Sequence, residues 1–152
     1  MINSLSILIP TYNNVCLELV RDLQAQASIL SSTNDLEYEI LVADDGSTDK
    51  NTIEKNCEIN GLDNCRYIER KENIGRAAIR NFLAKEAKYP WLLFIDSNMN
   101  VINNQYLAKY QKEQECDVIY GGYQVRRNLK TKKHNLRYIF ECNALQNGDY
   151  KQ

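Results

Sequence analysis

Three short polar clusters hold the residue types from which a binding or catalytic site is assembled. Thr11-Tyr12-Asn13-Asn14 follows Pro10, Asp44-Asp45-Gly46-Ser47 closes an apolar run, and Asp96-Ser97-Asn98 closes another. Two arginines, Arg76 and Arg80, stand between the second and third clusters at i and i+4. An aromatic ring, carboxylates, amides and guanidinium groups together suit a ligand that is part aromatic, part anionic and metal-bound. Taken singly, each group has a plainer explanation. Thr11–Asn14 is then a helix-capping loop, the paired aspartates a turn and N-cap, Asp96–Asn98 a solvated turn, and the arginines a solvated helix face. The choice between these readings depends on whether the fold brings the clusters to one place.

The elements between the clusters predict that it does. Leu5–Ile9 is short, mostly branched and stopped by Pro10, which reads as a buried strand. Val20, Leu23, Ala27 and Leu30 recur at three- and four-residue spacing within a helix from about Val15 to Leu30. Tyr38–Ala43 is a second strand, followed by an Asp-Gly turn and a helix capped by Ser47, Thr48 or Asp49. Arg66–Glu69 is a short third strand, and Asn73-Ile74-Gly75 a loop. Arg76–Ala87 is a helix with Ala78, Phe82 and Leu83 on one side. Trp91–Ile95 is a fourth strand, apolar throughout, with a further helix near Asn104–Glu115 and strand character at Val118–Tyr120 before a bend at Gly121-Gly122. Strands buried on both faces and alternating with helices predict an α/β fold, a mostly parallel sheet with helices on both faces. Right-handed crossovers then put every strand's C-terminal end along one edge, where open α/β sheets bind ligands.

Composition narrows the function. The chain has 152 residues, enough for one domain with a packed core, and 43% of them are hydrophobic. Nineteen basic residues against twenty acidic ones leave a formal charge of −1, which gives no general attraction to nucleic acid or an anionic membrane. The longest apolar stretch, Trp91–Ile95, falls far short of the ~20 residues of a membrane span, and no signal peptide is visible at Met1. Five cysteines without a CxxC pair (Cys16, Cys57, Cys65, Cys116, Cys142) read as reduced, mostly buried thiols of a cytoplasmic protein. With His134 the only histidine, a zinc site has little to draw on. His134 itself reads as a surface residue within the basic run Lys130–Arg137.

Taken together and in order, the clusters resemble the family 2 glycosyltransferases, inverting enzymes of the Rossmann-like GT-A nucleotide-diphospho-sugar transferase fold. Four blocks carry the likeness: Ser6–Asn14, Glu39–Asp49, Asn73–Asn81 and Trp91–Asn98, within a match over roughly residues 4 to 123. The resemblance implies that residues 1–120 are the nucleotide-sugar-binding part and 121–152 the start of an acceptor-side half, cut short. It further implies that Pro10, Thr11, Tyr12 and Asp44 or Asp45 hold the nucleobase of a donor, commonly uridine. Tyr12 would lie against the base and a carboxylate, with Asp45 favoured, would accept the uracil N3–H. Arg76 would reach the nucleotide or its diphosphate, while Arg80 fits the family's Arg-Asn pair and a structural part. Asp96, Ser97 and Asn98 match the Asp-x-Asp motif, in which Asp96 and Asn98 would share Mg²⁺ or Mn²⁺ with the diphosphate. The sugar would then pass to an acceptor hydroxyl with inversion.

Two departures from the family qualify that expectation. Asn98 stands where the family usually has aspartate, so the site loses a negative charge and should hold a divalent ion more weakly. Members of the family also continue for about 100 residues beyond this point, consistent with a domain above modal size, and the missing part carries the catalytic base. That base is expected beyond residue 152, since Glu141 and Asp149 lie outside any motif. The alternative to a transferase is an inert nucleotide-binding or interaction module derived from one. The remaining expectations are a nucleotide-sugar donor, a sugar or glycan acceptor in bacterial polysaccharide assembly, a location at the inner membrane face, and self-association through uncovered apolar surface.

Overall fold

The computed structural model describes residues 1–113, 117–119 and 121. Four strands form one parallel sheet: β1 (Ser4–Thr11), β2 (Glu37–Asp44), β3 (Cys65–Glu69) and β4 (Trp91–Phe94), in the order β3-β2-β1-β4. Pairing runs from Ser4 opposite Glu37 to Thr11 opposite Asp44, and from Leu5 opposite Trp91 to Leu8 opposite Phe94. The helices are α1 (Leu17–Asn34), α2 (Lys50–Cys57), α3 (Arg76–Glu86) and α4 (Tyr106–Gln111). A 3₁₀ turn over Glu58–Gly61, which the sequence reading did not anticipate, joins α2 to β3.

Each element forms for a local reason. The β1 core residues Ile7, Leu8 and Ile9 are fully buried, as are Ile40 and Val42 beside them on β2. In α1 the stripe Val20, Leu23, Ala27 and Leu30 is buried as its spacing predicts, and a fully buried Val or Leu side chain is worth about 1.5–3 kcal/mol. Asp49 starts α2, accepting backbone N–H groups of Asn51 and Thr52 at 3.3 and 3.2 Å. On one face of the sheet Leu8, Leu41 and Ala43 pack against Ile79 and Leu83 of α3. Right-handed crossovers put α1 and α2 on the other face.

Three expectations need correction. The buried side of α3 is built on Ile79 and Leu83, with Phe82 only packed beside the cluster. Strand β4 is not buried on both faces: Leu92 and Phe94 are exposed. Among the described residues β4 is an edge strand, and α3 covers β1 and β2 on the face that Leu92 and Phe94 share. A continuous apolar run does not distinguish an edge strand from a central one. Third, the helix expected near Asn104–Glu115 shortens to Tyr106–Gln111.

Among the described cysteines Cys16 is buried, Cys65 intermediate and Cys57 exposed, so burial is not general. Val118 and Ile119 are not in a strand. Tyr120, Gly122, His134, Glu141 and Asp149, with the expected acceptor-side segment 121–152 apart from Gly121, lie outside the described residues, as do Cys116 and Cys142. Among the described residues no helix is long and apolar enough to cross a membrane.

Candidate functional site

The chain reverses its direction of winding between β1 and β4: β2 and β3 are added on one side of β1, and β4 on the other. Loops leaving two such neighbouring strands diverge to opposite faces and leave a crevice at their C-terminal ends. A cleft of about 480 Å³ opens there. The β1 loop contributes Pro10, Thr11, Tyr12, Asn13 and Asn14, and β2 contributes Asp45. Asn73, Gly75, Arg76, Ile79 and Arg80 come from the β3–α3 segment, and Asp96, Ser97 and Asn98 from the β4 loop.

Asparagines hold these loops together. Asn13, in the left-handed region at φ +47°, accepts the backbone N–H groups of Thr48 and Asp49 on its Oδ1 at 2.8 and 3.1 Å. Its own backbone N–H donates to Ser47 Oγ at 2.7 Å. Asn14 donates its side-chain amide to the Ser97 carbonyl at 2.8 Å. The Asn14 carbonyl in turn accepts from Thr11 Oγ1 at 2.9 Å and from the buried Asn56 Nδ2 at 3.0 Å. Asn56 Oδ1 accepts the Cys16 backbone N–H at 3.0 Å. These bonds tie the β1 loop to the β2 and β4 loops and to α2. Burial, followed by the nearby Asp44 charge, pushes the Cys16 thiol up to about 12, which leaves it neutral.

The adjacent aspartates have different surroundings. Asp44 is fully buried and accepts the Tyr67 hydroxyl at 2.5 Å and the Ser47 N–H at 2.7 Å. Burial, then this hydrogen bond, raises the Tyr67 phenol far above its usual range. Asp45 lines the cleft and accepts the backbone N–H groups of Ile74 and Gly75 at 2.8 and 3.0 Å. It thereby fixes the start of α3, where the helix dipole favours negative charge. Gly46 permits the contact: at φ +75° a Cβ would lie 2.8 Å from Asn73 N and from the Glu72 carbonyl carbon.

Arg76 opens α3, exposed at the cleft. One turn on, Arg80 donates to the Arg76 carbonyl at 3.1 Å and forms an ion pair through Nη2 with Asp96 Oδ1. Asp96 Oδ2 has no hydrogen-bond partner among the described residues. Of the residues expected at a donor site, Pro10, Thr11, Tyr12, Asp45, Arg76, Asp96, Ser97 and Asn98 border the cleft. Asp44 does not, because strand alternation turns it into the core beneath the loop. Sequence reasoning counted Asn13 and Asn14 in the first polar cluster without giving either a role of its own, gave none to Asn73 or Ile79, and placed Arg80 in a supporting one. The i, i+4 spacing from Arg76 was the available signal for Arg80. Nothing in the sequence marks Asn56, a polar residue within a polar helix.

The cation expected from the resemblance can be judged against this donor set. No group of three His, Cys, Asp or Glu side chains comes together among the described residues. One carboxylate oxygen of Asp96 and the side-chain carbonyl of Asn98 are hard donors at the cleft. Their chemistry would suit a Mg²⁺- or Mn²⁺-type ion, and two such donors would supply only a minor part of its ligands.

The family model "Glycosyl transferase family 2" matches residues 6–150. Chondroitin synthase of Escherichia coli is 30% identical over 136 residues, covering 88% of this chain and 19% of that protein. Poly(ribitol-phosphate) beta-glucosyltransferase of Bacillus spizizenii is 34% identical over 123 residues, 77% of this chain and 18% of that protein. The chain therefore spans less than a fifth of the length of either curated relative. Among solved structures, S. aureus TarS 1-349 in complex with UDP-GlcNAc superposes with a TM-score of 0.55 at 29% identity, covering 70% of this chain and 30% of that one.

Proposed function

We propose a function from one premise: the chain belongs to glycosyl transferase family 2, and its fold is the GT-A fold of that family. The proposal is that it binds a nucleoside-diphosphate sugar, with UDP as the nucleotide, and serves sugar transfer to an acceptor hydroxyl with inversion. One observation carries it: Tyr12, Asp45 and Asp96, from the tips of three parallel strands, border a single cleft where the winding reverses.

Each residue has a physical role in this reading. Tyr12 is half exposed at the cleft, and its ring offers a face for a nucleobase. Asp45 already accepts two backbone N–H groups, and a carboxylate keeps lone pairs for a third donor such as the uracil N3–H. Asp44 has no such opening, so Asp45 is the base-reading aspartate. The Arg76 guanidinium, beside the exposed start of α3, suits a diphosphate through charge-assisted hydrogen bonds. Asp96 and Asn98 would hold a divalent cation. When bound, such an ion supplies Lewis-acid neutralisation of the charge developing on the departing nucleoside diphosphate. Following its polymer-building relatives, the acceptor class is a glycan or polyol hydroxyl.

Calorimetric titration of the chain with UDP and Mn²⁺ tests the reading. Binding is expected, with Asp45→Ala weakening it at least tenfold, about 1.4 kcal/mol or more. UDP release from UDP-sugar then separates a transferase from an inert nucleotide-binding module. Absence of UDP binding to the unsubstituted chain would remove the reading.

A further inference from the structure

The cleft carries a charge balance that the donor-site reading does not use. Asp96 is the only carboxylate of the Asp96-Ser97-Asn98 loop, and Arg80 pairs with it. Arg80 is held from a second direction, since its other terminal nitrogen donates to the Arg76 carbonyl. The formal charge of the loop and its partner is thus zero: −1 from Asp96, nothing from Asn98, +1 from Arg80. A divalent ion approaching the free chain meets no net negative charge, and no other acidic group joins Asp96 in a ligand cluster among the described residues. A nucleoside diphosphate changes that balance by bringing several negative charges and phosphate oxygens into the cleft.

We infer that Arg80 acts as a positioning counter-ion that makes cation binding at Asp96 conditional on the nucleotide. This rests on the donor-site reading above. Without nucleotide the guanidinium neutralises Asp96 and the cation stays in solution. With a diphosphate present the phosphate oxygens supply the missing charge and ligands, and Asp96, with Oδ2 unpaired among the described residues, is a carboxylate at the cleft that can join them. Because coupling between two ligands is reciprocal, the cation tightens nucleotide binding by the factor with which the nucleotide tightens cation binding. A role for Arg80 confined to holding Asp96 in a metal-ready orientation predicts the opposite sign, since its loss would then weaken the cation.

Uptake of Mn²⁺ by the full chain, followed from the paramagnetic resonance signal of the free ion, discriminates these roles without an activity assay. The unsubstituted chain is expected to leave Mn²⁺ free until UDP is added. Arg80→Gln removes the counter-charge and is expected to bind Mn²⁺ alone at least tenfold more tightly. Arg80→Lys keeps the charge and restores the low affinity, which a purely structural role does not predict, and Asp96→Asn added to Arg80→Gln abolishes the gain. Unchanged or weakened Mn²⁺ uptake by a folded Arg80→Gln overturns the inference. Tight Mn²⁺ binding by the unsubstituted chain without UDP also overturns it, and needs no variant. Failure of UDP to bind under any condition overturns the donor reading instead, while the comparison in Mn²⁺ alone still judges Arg80.

Discussion

Asn14 reaches across the cleft to Ser97, donating its side-chain amide to the Ser97 backbone carbonyl at 2.8 Å. The two loops leave neighbouring strands where the winding reverses, so no backbone ladder joins them. This bond is their direct link, and the Asn14 carbonyl is itself fixed by Thr11 and Asn56. Loss of the amide in Asn14→Ala should cost about 1 kcal/mol, read as a fall of roughly 2–4 °C in thermal midpoint. UDP affinity should fall several-fold more than that small destabilisation explains, because Asp96 and Asn98 follow the loop. Calorimetry showing unchanged UDP affinity would mean that the bridge does not position the cleft.

Gly46 gives a sharper test of how the β2 loop is seated. Gly46→Ala places a Cβ at φ +75° and 2.8 Å from backbone atoms of Glu72 and Asn73, neither of which is a flexible side-chain end. The expected loss is about 2–3 kcal/mol, from the left-handed conformation plus the clash. Gly61→Ala meets nothing within 4 Å and has no positive φ, so it should leave the urea midpoint nearly unchanged. Equal behaviour of the two variants would contradict the close approach.

Much of this architecture was legible because its signals are local. Leu5–Ile9 and Tyr38–Ala43 are short branched runs with a stop after each, and the α1 stripe has the period of a helix. The order of four motif blocks gave the family that whole-chain comparison also returns. What stayed hidden depends on neighbours far away in sequence. The exposure of Leu92 and Phe94 follows from where α3 packs, and the partner that the inward-turned Asp44 finds, Tyr67, lies on the next strand. The Arg80–Asp96 pair joins residues sixteen positions apart whose partnership only the folded cleft reveals. Asn56 is a structural brace with no pattern to mark it.

Tyr67 and Asp44 predict a stability effect separable from binding. Tyr67→Phe removes the hydroxyl that donates to a fully buried carboxylate, leaving Asp44 with the Ser47 N–H as its remaining donor among the described residues. Hydrogen bonds to buried charged groups are worth about 1.5–3 kcal/mol, so an unfolding free energy lowered by that amount is expected, read from the shift in urea midpoint at unchanged m-value. UDP affinity should change little, because Asp44 does not border the cleft. A large loss of affinity with unchanged stability would instead assign Asp44 to the ligand.

Alkaline pH should unfold the chain through its thiols and phenols. In the unfolded chain Cys16 ionises near its ordinary 9.0, whereas the folded chain holds the thiol neutral until about 12. Burial likewise moves Cys65 to about 11 and Tyr67 higher still. Between the unfolded and folded values the unfolded chain releases protons that the native chain retains. The contribution of these groups is therefore complete below about pH 9 and is lost progressively as pH rises towards the folded values, by at most about 1.4 kcal/mol per pH unit for each group. Urea midpoints under reducing conditions should fall between pH 8 and 10.5, and Cys16→Ala should make that fall shallower whatever its own cost at pH 8. An unchanged slope in Cys16→Ala would show that the buried thiol ionises without unfolding, and would place the opening of the Asn14–Asn56–Cys16 bracing ahead of global unfolding.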